Sequence, residues 1–593
     1  MTYATDTYEL LGAFVDELAR CGMRDACTSP GSRCTPLVLT LARDERLRCH
    51  SHVDERCSGF FAVGLAKASA LPVAITCTSG TAVAEMLPAV VEAYEARVPL
   101  IVLSADRPPE LREVGAGQTI DQLKIFGDFA KWFFEVGTHE ATAERVRWMR
   151  MLACRAFWTA LEGRRGVVHL NFPLREPLVS DEALPAAGGG RPGGVPFVNR
   201  HKQPPEATAA GHALRELIGE ARQGVVVAGR NERETPLGQA AAAFCEAAGW
   251  PLLADPMSGA RRGTAAIAHY DALLRNSVFA GEHQPDVVVR VGDLPVSKPL
   301  RTWLAGLPRT RQIALDPEAI WQDPASAVSD SLAVEPATTL SALARTLDGT
   351  GADPDWLSDW RSADERAAEA ILGVLAASGC SEPVVAAELG VLLPREATLF
   401  VASSMPVRDV ETFWPVRPDP PRVLCNRGAN GIDGTVSSAF GAAAAGEGPV
   451  VLLIGDVALA HDIGGLLAAS RLGLKLTIIL LNNEGGGIFD FLPIASAPAA
   501  RERRARVAGG EVGDQSGEQD IYTRHISTPP RLDFARAAAL YGFSHETVAE
   551  IASFRGALES ALAAPTSATI EVRTDREENV KLHRLVWNEV TAR

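Results

Sequence analysis

The chain has 593 residues, of which 47% are hydrophobic and 22% are charged, and its net charge is −15. This length exceeds what one hydrophobic core organises, so about three or four domains are expected. The composition is typical of a soluble globular protein. The negative charge argues against nucleic acid or an anionic membrane as a partner, and an anionic substrate would need locally clustered arginines.

The ten cysteines are scattered and form no CxxC pair, a pattern typical of reduced thiols in the cytosol. Residues 1–22 predict an amphipathic helix with Glu9, Asp16 and Glu17 among its apolar positions. This helix lacks the basic start and apolar run of a signal peptide, and no other stretch approaches a membrane span. We therefore expect a cytoplasmic protein without stable membrane insertion.

Two linker-like stretches divide the chain. Residues 184–197 are crowded with Gly and Pro, and residues 348–355 are short and polar. The linkers predict three domains, over residues 1–183, 198–348 and 356–593.

Each domain alternates short apolar runs, rich in β-branched residues, with longer Ala- and Leu-rich stretches. The runs that predict strands are PVAITCTSG, VPLIVLSADR, GVVVAGR, PLLADP, DVVVRVG, RQIALDP, TLFVASS, PRVLCNRG, VVLLIGD, LTIILLNN and ATIEVRTD. Apolar strands separated by helices imply parallel sheets covered on both faces. We predict an α/β fold of three doubly wound domains with mostly parallel sheets, which bind ligands beyond the carboxyl ends of their strands.

Two polar residues follow neighbouring strands in the third domain. Asp456 ends VVLLIGD, and Asn483 ends LTIILLNN 27 residues later, so one parallel crossover brings both to the same edge. Their oxygens suit Mg²⁺, and the backbone carbonyl of Gly485 could add a third protein ligand. Singly, Asp456 could cap a helix and Asn483 could occupy a turn. Jointly they resemble the thiamine diphosphate motif, although Val457 stands where that motif usually has Gly.

A thiamine enzyme also needs a carboxylic acid that shares a proton with the aminopyrimidine ring, which a dry pocket favours. Glu55 lies between a short strand and an Ala/Gly-rich helix in CHSHVDERCSGFFAVGLAKA, where the catalytic Glu of these enzymes falls. A lone Glu at a helix start would ordinarily only interact with the helix dipole. The surrounding segment favours the catalytic interpretation.

Six further strings narrow the family: SPGSRCTPL, TSGTAVAEMLPAVVEA, SADRPPELREVGAGQTIDQ, SSMPVRD, NRGANGIDG and NNEGGGIFDFLP. Together they closely resemble the 2-succinyl-5-enolpyruvyl-6-hydroxy-3-cyclohexene-1-carboxylate synthases (SEPHCHC synthases). The resemblance covers nearly the whole chain and is weakest in the middle. It implies a thiamine diphosphate-binding fold with a pyrimidine-binding domain, a central transhydrogenase-like domain and a diphosphate-binding domain.

The resemblance also implies a reaction of menaquinone biosynthesis. In it, 2-oxoglutarate is decarboxylated and the succinyl semialdehyde carbanion adds to isochorismate, giving the SEPHCHC product and CO2. The implied cofactors are thiamine diphosphate and Mg²⁺, for which Mn²⁺ can substitute. Both substrates are dianions, and arginine is the cation best shaped for carboxylates.

Four arginines within the matching motifs lie at or just beyond strand ends, and the family roles make them carboxylate-binding: Arg33, Arg107, Arg408 and Arg427. The neutral hydrogen-bonding partners and the further cation that the resemblance implies are Ser32, Gln118, Ser404 and Lys298. Of these, Gln118 is also expected to take part in catalysis. An arginine near a strand end more often belongs to a surface salt bridge. Four within specific motifs of an acidic protein favour the binding interpretation.

Ile432, in NGIDG, occupies the family position of the apolar residue that bends the cofactor beneath its thiazolium ring, so we count it as catalytic. The other cofactor contacts that the resemblance implies are Ser79, Gly80, Thr81, Ser404, Met405, Val457, Ala458, Ile488 and Phe489. Residues 79–81 start a helix after a strand, which suits an anion but equally suits a simple cap. Ile488, Phe489 and Leu492 are expected to form an apolar wall against cofactor and substrate, with ordinary core as the alternative.

Two features depart from the family or stand apart from it. Gly117 replaces the Asn that usually precedes Gln118, which removes an amide from the site. The segment 496–520 is long, charged and Gly-rich, and is either a lid ordered by substrate or a disordered insertion.

In the family, the pyrimidine-binding and diphosphate-binding domains meet across a subunit interface. We therefore predict a homodimer or a dimer of dimers, in which Glu55 of one chain serves a cofactor held by Asp456 of another. The central domain has no compelling dinucleotide fingerprint, and no flavin is predicted. Two alternatives are another thiamine carboligase, such as an acetolactate synthase, and a catalytically inactive regulatory homologue. The arginines argue against the first, and the retained Glu55, Asp456 and Asn483 against the second.

Overall fold

The computed structural model describes residues 3–180, 183–184, 186–201, 207–231, 236–347, 351–446, 448–501 and 520–593. These residues form three sheets of six, five and six strands. Neighbouring strands run parallel in every sheet.

The first sheet is built from β1 (Asp25–Thr28), β2 (Arg48–Ser51), β3 (Val73–Cys77), β4 (Leu100–Asp106), β5 (Trp132–Glu135) and β6 (Val167–Pro173). Its order is β2-β1-β3-β4-β6-β5. The accompanying helices are α1 (Tyr3–Cys21), α2 (Thr35–Arg43), α3 (Glu55–Ser69), α4 (Thr81–Ala84), α5 (Leu87–Glu95) and α6 (Ala143–Leu161). The order reverses between β1 and β3, which is where a doubly wound sheet opens a crevice.

The central sheet is built from β7 (Gly224–Ala228), β8 (Leu252–Ala254), β9 (Val287–Val291), β10 (Arg311–Leu315) and β11 (Asp330–Leu332). Its order is β11-β10-β9-β7-β8. The helices of this part are α7 (Ala207–Ile218), α8 (Leu237–Ala248), α9 (Tyr270–Leu273), α10 (Ser277–Glu282), α11 (Lys298–Ala305) and α12 (Pro336–Ala344).

The third sheet is built from β12 (Thr398–Val401), β13 (Arg422–Cys425), β14 (Val450–Gly455), β15 (Thr477–Asn482), β16 (Ser544–Val548) and β17 (Ala568–Arg573). Its order is β13-β12-β14-β15-β17-β16. The helices are α13 (Trp356–Leu375), α14 (Glu382–Leu392), α15 (Met405–Phe413), α16 (Thr435–Ala444), α17 (Asp456–His461), α18 (Leu467–Leu472), α19 (Pro498–Arg501), α20 (Phe534–Leu540), α21 (Ile551–Ala563) and α22 (Arg576–Ala592).

The predicted fold class is confirmed, because each sheet is parallel and flanked by helices. The strands β3, β4 and β6 are buried along their whole length, as sheets covered on both faces require. All eleven strands named from apolar runs are present. The three sheets fall within residues 1–183, 198–348 and 356–593, and the exact boundaries stay a prediction.

Five strands had not been named from the sequence: β1, β5, β6, β11 and β16. The run of β6 is interrupted by His169 and Asn171, which are fully buried and hydrogen-bonded to Ser104. β16 lies at a sheet edge, and three of its five residues are exposed, two of them in succession. Apolar periodicity is weak in both strands, because β6 has buried polar residues and β16 has side chains exposed to solvent.

The first and third domains meet through α3 and α16. A Cβ atom added to Gly64 would lie 1.8 Å from the carbonyl oxygen of Ser438, and one added to Gly441 would lie 2.0 Å from that of Phe61. The hydroxyl of Ser438 also donates to the carbonyl of Phe60 at 2.9 Å. Glycines therefore allow the backbones of the two helices to touch. Glu55 is the first residue of α3, and Ile432 lies three residues before the start of α16.

Each predicted linker lies only partly within the described residues. The carbonyl of Gly188, in the first linker, accepts a hydrogen bond from Arg150 of α6 at 2.7 Å, which fastens the linker to the first domain. Residues 348–350 of the second linker and 502–519 of the segment 496–520 lie outside the described residues. No described helix combines the length and apolar character needed to cross a membrane.

Candidate functional site

The third sheet gathers polar residues at the carboxyl end of its reversal point, between β12 and β14. Ser404 follows β12, Asp456 follows β14 and starts α17, and Asn483 follows β15. The backbone amide of Gly485 donates to Asp456 Oδ2 at 2.8 Å. The structure therefore brings the three predicted metal ligands, Asp456, Asn483 and Gly485, to one place.

The donor set of this corner fits a hard cation. Asp456 is 1% exposed, and burial raises its pKa to about 6 against the lowering effect of backbone amides and Arg576. Asn483 Nδ2 donates to Glu382 Oε1 at 2.8 Å, while Asn483 Oδ1 is buried without a partner among the described residues. A buried carboxylate and an unused amide oxygen are what a Mg²⁺ ion would satisfy.

The loop after β15 is shaped by its glycines. Gly485 has φ +140°, and a Cβ atom there would lie 2.8 Å from both Ser527 O and Arg576 Nη1. Gly486 donates its amide to the Ser527 carbonyl at 2.7 Å. Val457 and Ala458 form the first turn of α17 beside this loop, so the Val at the usual Gly position is accommodated as an ordinary helical residue.

Arg408 and Arg427 form a pair of neighbouring cations. Burial lowers the pKa of both guanidiniums, and nearby positive charge lowers it further: Arg427 and Arg301 act on Arg408, while Arg230 and Arg301 act on Arg427. Asp409 and Asp271 oppose this lowering at Arg408, and Cys425 and Asp255 oppose it at Arg427. Arg408 Nη1 donates to the carbonyl of Ser404, and Arg427 Nη1 to Ser403 Oγ at 3.4 Å. Among the described residues neither forms an ion pair, so the arrangement is suited to an anionic ligand.

The edge of the first sheet holds Ser79, Gly80 and Gln118 together. Ser79 Oγ donates to the carbonyl of Gln118 at 2.9 Å, and the amide of Gly80 donates to Gln122 Oε1 at 2.9 Å. Gly80 and Gln118 have positive φ values of +90° and +54°. The side chain of Gln118 is exposed, as is Thr81, which starts a helix of only four residues.

The two predicted arginines of the first domain differ in their surroundings. Arg107 is half-buried and donates through Nη2 to the Gly117 carbonyl at 3.0 Å, beside Gln118. Arg33 is buried, and its guanidinium donates to the Leu174 carbonyl at 2.7 Å and to Glu176 at 3.1 Å. Ser32, next to it, is exposed. A carboxylate role for Arg33 stays a prediction: a carbonyl and a carboxylate occupy two of its five N–H donors, and its Nε is buried without a partner among the described residues.

Glu55 is the first residue of α3 and is half-buried. Burial raises its pKa, and the nearby carboxylates Asp54 and Glu85 raise it further. A raised pKa suits an acid that shares a proton near neutral pH. No described hydrogen bond or ion pair links Glu55 to Asp456 or Asn483.

The apolar residues predicted for the site are only partly covered. Ile432 is half-buried against the core shared by α3 and α16. Ile488 and Phe489 are half-buried in the turn Gly487–Phe491, and Leu492 is 47% exposed. Met405 is buried at the start of α15, and Lys298 is exposed at the start of α11. Lys298 shares α11 with Arg301, which adds positive charge at Arg408.

Sequence reasoning did not identify Gln122, Arg301, Glu382 or Arg576, which the structure places against predicted site residues. Arg301 follows Lys298 by three residues, and that helical spacing is the one signal that could have found it. Glu382 and Arg576 begin helices far along the chain from their partners. Only tertiary structure brings them to Asn483 and Asp456.

A separate cavity of about 150 Å³ lies at the carboxyl edge of the central sheet. Three of its four arginines are paired with acids: Arg97 and Arg230 with Asp293, each at 2.5 Å, and Arg290 with Asp323 at 3.2 Å. None of the predicted catalytic or substrate-binding residues lines it.

Known protein families match all three parts of the chain. Residues 9–125 match the N-terminal TPP binding domain of thiamine pyrophosphate enzymes, residues 195–401 their middle domain, and residues 407–572 their C-terminal TPP binding domain. With three parallel sheets in this order, the chain is a thiamine diphosphate-dependent enzyme.

Close relatives narrow the family. The chain is 42% identical over 594 residues to a protein of Geobacillus kaustophilus, with 98% of this chain and 97% of the relative covered. It is 41% identical to a protein of Chloroflexus aurantiacus (97% and 95% covered) and 39% identical to one of Listeria innocua (98% and 97% covered). All three are named 2-succinyl-5-enolpyruvyl-6-hydroxy-3-cyclohexene-1-carboxylate synthase. The chain belongs to this family, as its motifs had predicted.

Proposed function

We propose that the chain catalyses the SEPHCHC synthase reaction as a transferase of menaquinone biosynthesis. It decarboxylates 2-oxoglutarate and joins the remaining four-carbon unit to isochorismate, releasing CO2. The names of the full-length relatives support this reaction. The structural observation that carries the proposal is the unpaired cation cluster of Arg408, Arg427 and Arg301, since both substrates are dianions.

The substrate carboxylates have several candidate partners. Arg408 and Arg427 bind one carboxylate each or share one, and the half-buried Arg107 adds a third cation near Gln118. Ser32, Ser404 and Gln118 supply neutral hydrogen bonds, and Lys298 supplies a further positive charge. Arg33 is the member least free to bind, because it already donates to Leu174 and Glu176.

Thiamine diphosphate, when bound, supplies the chemistry that decarboxylates the 2-oxo acid and forms the new carbon–carbon bond. Asp456, Asn483 and the Gly485 carbonyl would hold its Mg²⁺, and Mn²⁺ could take the same ligands. Glu55 keeps a proton at the pyrimidine ring, which its raised pKa favours. Ile432 would support the cofactor, and Ile488, Phe489 and Leu492 would exclude water. The remaining residues that would contact the cofactor are Ser79, Gly80, Thr81, Met405, Val457 and Ala458.

The functional unit is a homodimer or a dimer of dimers, in which Glu55 and Asp456 of one site come from different chains. Exposed apolar side chains in or next to the predicted motifs of the first domain, among them Val53 two residues before Glu55, support a partner on this domain. Val53 is 55% and Val114 68% exposed, with Leu87 and Leu123 also exposed.

A two-substrate assay tests the function. Purified protein with Mg²⁺ and thiamine diphosphate is given 2-oxoglutarate, isochorismate or both, and CO2 release and product mass are measured. We expect sustained turnover only with both substrates. Pyruvate in place of 2-oxoglutarate is the control for an acetolactate synthase-type reaction, and equal or faster turnover with pyruvate would reject the proposal.

A further inference from the structure

Asn483 is held by a buried carboxylate that lies outside the matching motifs. Its Nδ2 donates to Glu382 Oε1 at 2.8 Å, and the hydroxyl of Thr574 donates to the same oxygen at 2.9 Å. Glu382 is 1% exposed and is the first residue of α14. One carboxylate oxygen therefore receives two donors, one of them from a proposed metal ligand.

We propose that Glu382 is a positioning residue that orients the amide of Asn483 and thereby directs Asn483 Oδ1 to the metal ion. The inference rests on the proposed function, because it assumes the metal site of Asp456 and Asn483. The oxygen and nitrogen of an amide have nearly the same size, so packing alone does not choose between its two orientations. A carboxylate oxygen that accepts does choose, because only Nδ2 can donate to it.

The oxygen of the Asn483 amide is free to bind a metal ion, as this role requires. Asn483 Oδ1 is buried and has no hydrogen-bond partner among the described residues. Two residues further on, the Gly485 amide donates to Asp456 at 2.8 Å. The loop that carries the free oxygen of Asn483 therefore also contacts Asp456, the other proposed side-chain ligand.

Glu382→Gln tests the role, because the new amide can donate to Asn483 Oδ1 and stabilise the wrong orientation. We expect Mn²⁺ affinity, titrated by electron paramagnetic resonance with thiamine diphosphate present, to fall about 10- to 100-fold. Circular dichroism and melting without metal report whether the variant folds. An affinity within about twofold of the unaltered protein would overturn the proposal.

The chain offers a matched control one residue away. Asn482 Nδ2 donates to Glu571 Oε1 at 2.8 Å, an amide–carboxylate pair of the same kind that involves no proposed ligand. Glu571 also contacts His545 and Arg573, so Glu571→Gln is expected to lower the melting temperature. Its Mn²⁺ affinity should stay unchanged. An equal loss of Mn²⁺ affinity in both variants would mean that Glu382→Gln acts only by destabilising the protein, and it would overturn the proposal.

A reversed pair separates orientation from stability. In the double variant Glu382→Gln with Asn483→Asp, the glutamine donates and the aspartate accepts, which leaves the second aspartate oxygen for the metal. We expect this variant to bind Mn²⁺ more tightly than Asn483→Asp alone, in which two buried carboxylates face each other. This comparison decides the matter even if Glu382→Gln alone does not fold, and equal affinities would refute the role.

Asp456→Ala distinguishes failure of this inference from failure of the proposed metal site. Unaltered protein that binds no Mn²⁺, or that binds it equally after Asp456→Ala, would reject the metal site and the inference together. Binding that is lost in Asp456→Ala but kept in Glu382→Gln would reject the inference alone.

Discussion

At the scale of single residues, Arg408 and Arg427 are the cations that we propose to bind the substrate carboxylates. Burial lowers the pKa of both guanidiniums, Arg427 lowers that of Arg408 further, and the two are held by a backbone carbonyl and a hydroxyl. Burying unpaired cations close together destabilises the fold, and a bound dianion would stabilise it again. These residues are therefore better explained by ligand binding than by folding.

Arg408→Gln should lower kcat/KM by about 10- to 100-fold for one substrate, because a hydrogen-bonded ion pair with a carboxylate is lost. The melting temperature should change little, since the repulsion by Arg427 and Arg301 and the attraction by Asp409 and Asp271 are removed together. Steady-state kinetics with each substrate varied in turn identify the affected carboxylate. Arg311→Gln is the control, because Arg311 pairs with Asp330 on the surface of the central domain. Unchanged kinetics for Arg408→Gln would contradict its binding role.

Gly117→Asn should fold as stably as the unaltered protein. A Cβ atom at Gly117 would have no heavy atom within 4 Å, so the family's usual Asn fits without a clash. The added amide would lie beside Gln118 and should lower the KM of a substrate by a small factor, measured in the two-substrate assay. A lower melting temperature or a rise in KM would indicate that this chain has adapted to the glycine.

Residues that follow apolar strands could be predicted from the sequence. Asp456 and Asn483 end two such strands, and the sheet brings them together as expected. Glu382 could not be predicted, because it starts a helix 101 residues before Asn483 and reaches it only through packing. Local sequence patterns identify the polar residue at the end of a strand. The residues that orient its side chain come from distant segments and depend on the whole fold.

At the scale of elements, the contact between α3 and α16 depends on missing side chains. Gly64→Ala would place a methyl group 1.8 Å from the Ser438 carbonyl, so the helices must separate. We expect the free energy of unfolding to fall by about 1 to 3 kcal/mol or more. The change should also reduce activity, because α3 begins with Glu55.

Gly373→Ala is the matched control, within the helix α13. A Cβ atom there meets nothing within 4 Å, and alanine favours the helix by about 1 kcal/mol over glycine. Thermal melting of both variants measures the contrast. A Gly64→Ala variant that melts with or above the unaltered protein would mean that the two helices do not pack as described.

The elements predicted most readily were those with a uniform environment. Strands such as β14 and β15, buried on both faces, consist of continuous apolar runs. β5 and β16 are edge strands whose side chains face both core and solvent, so their sequences carry little periodicity. The close approach of α3 and α16 was also missed, since glycines within a helix give no sign of which helix will pack on them.

At the scale of the whole molecule, one question is whether Glu55 and Asp456 of the same chain serve the same site. Glu55 has no described link to Asp456, and apolar side chains near it, such as Val53, are exposed. If two chains complete each site, then two inactive variants can complement each other. A heterodimer of Glu55→Gln and Asp456→Ala chains would contain one site with both residues intact.

Mixing the two variants in equal amounts under conditions that exchange chains should restore about a quarter of the unaltered activity, because about half of the dimers are mixed and each has one intact site. Each variant alone should be nearly inactive, since Glu55→Gln removes a proton-sharing group worth about 10²- to 10⁴-fold in rate. Differently tagged chains, captured through one tag and detected through the other, verify that exchange has occurred. Exchanged but inactive mixtures would show that each site lies within one chain. Restored activity would mean that Glu55 lies at an interface between chains. Dilution below the dimer dissociation constant must then abolish catalysis without unfolding the chain.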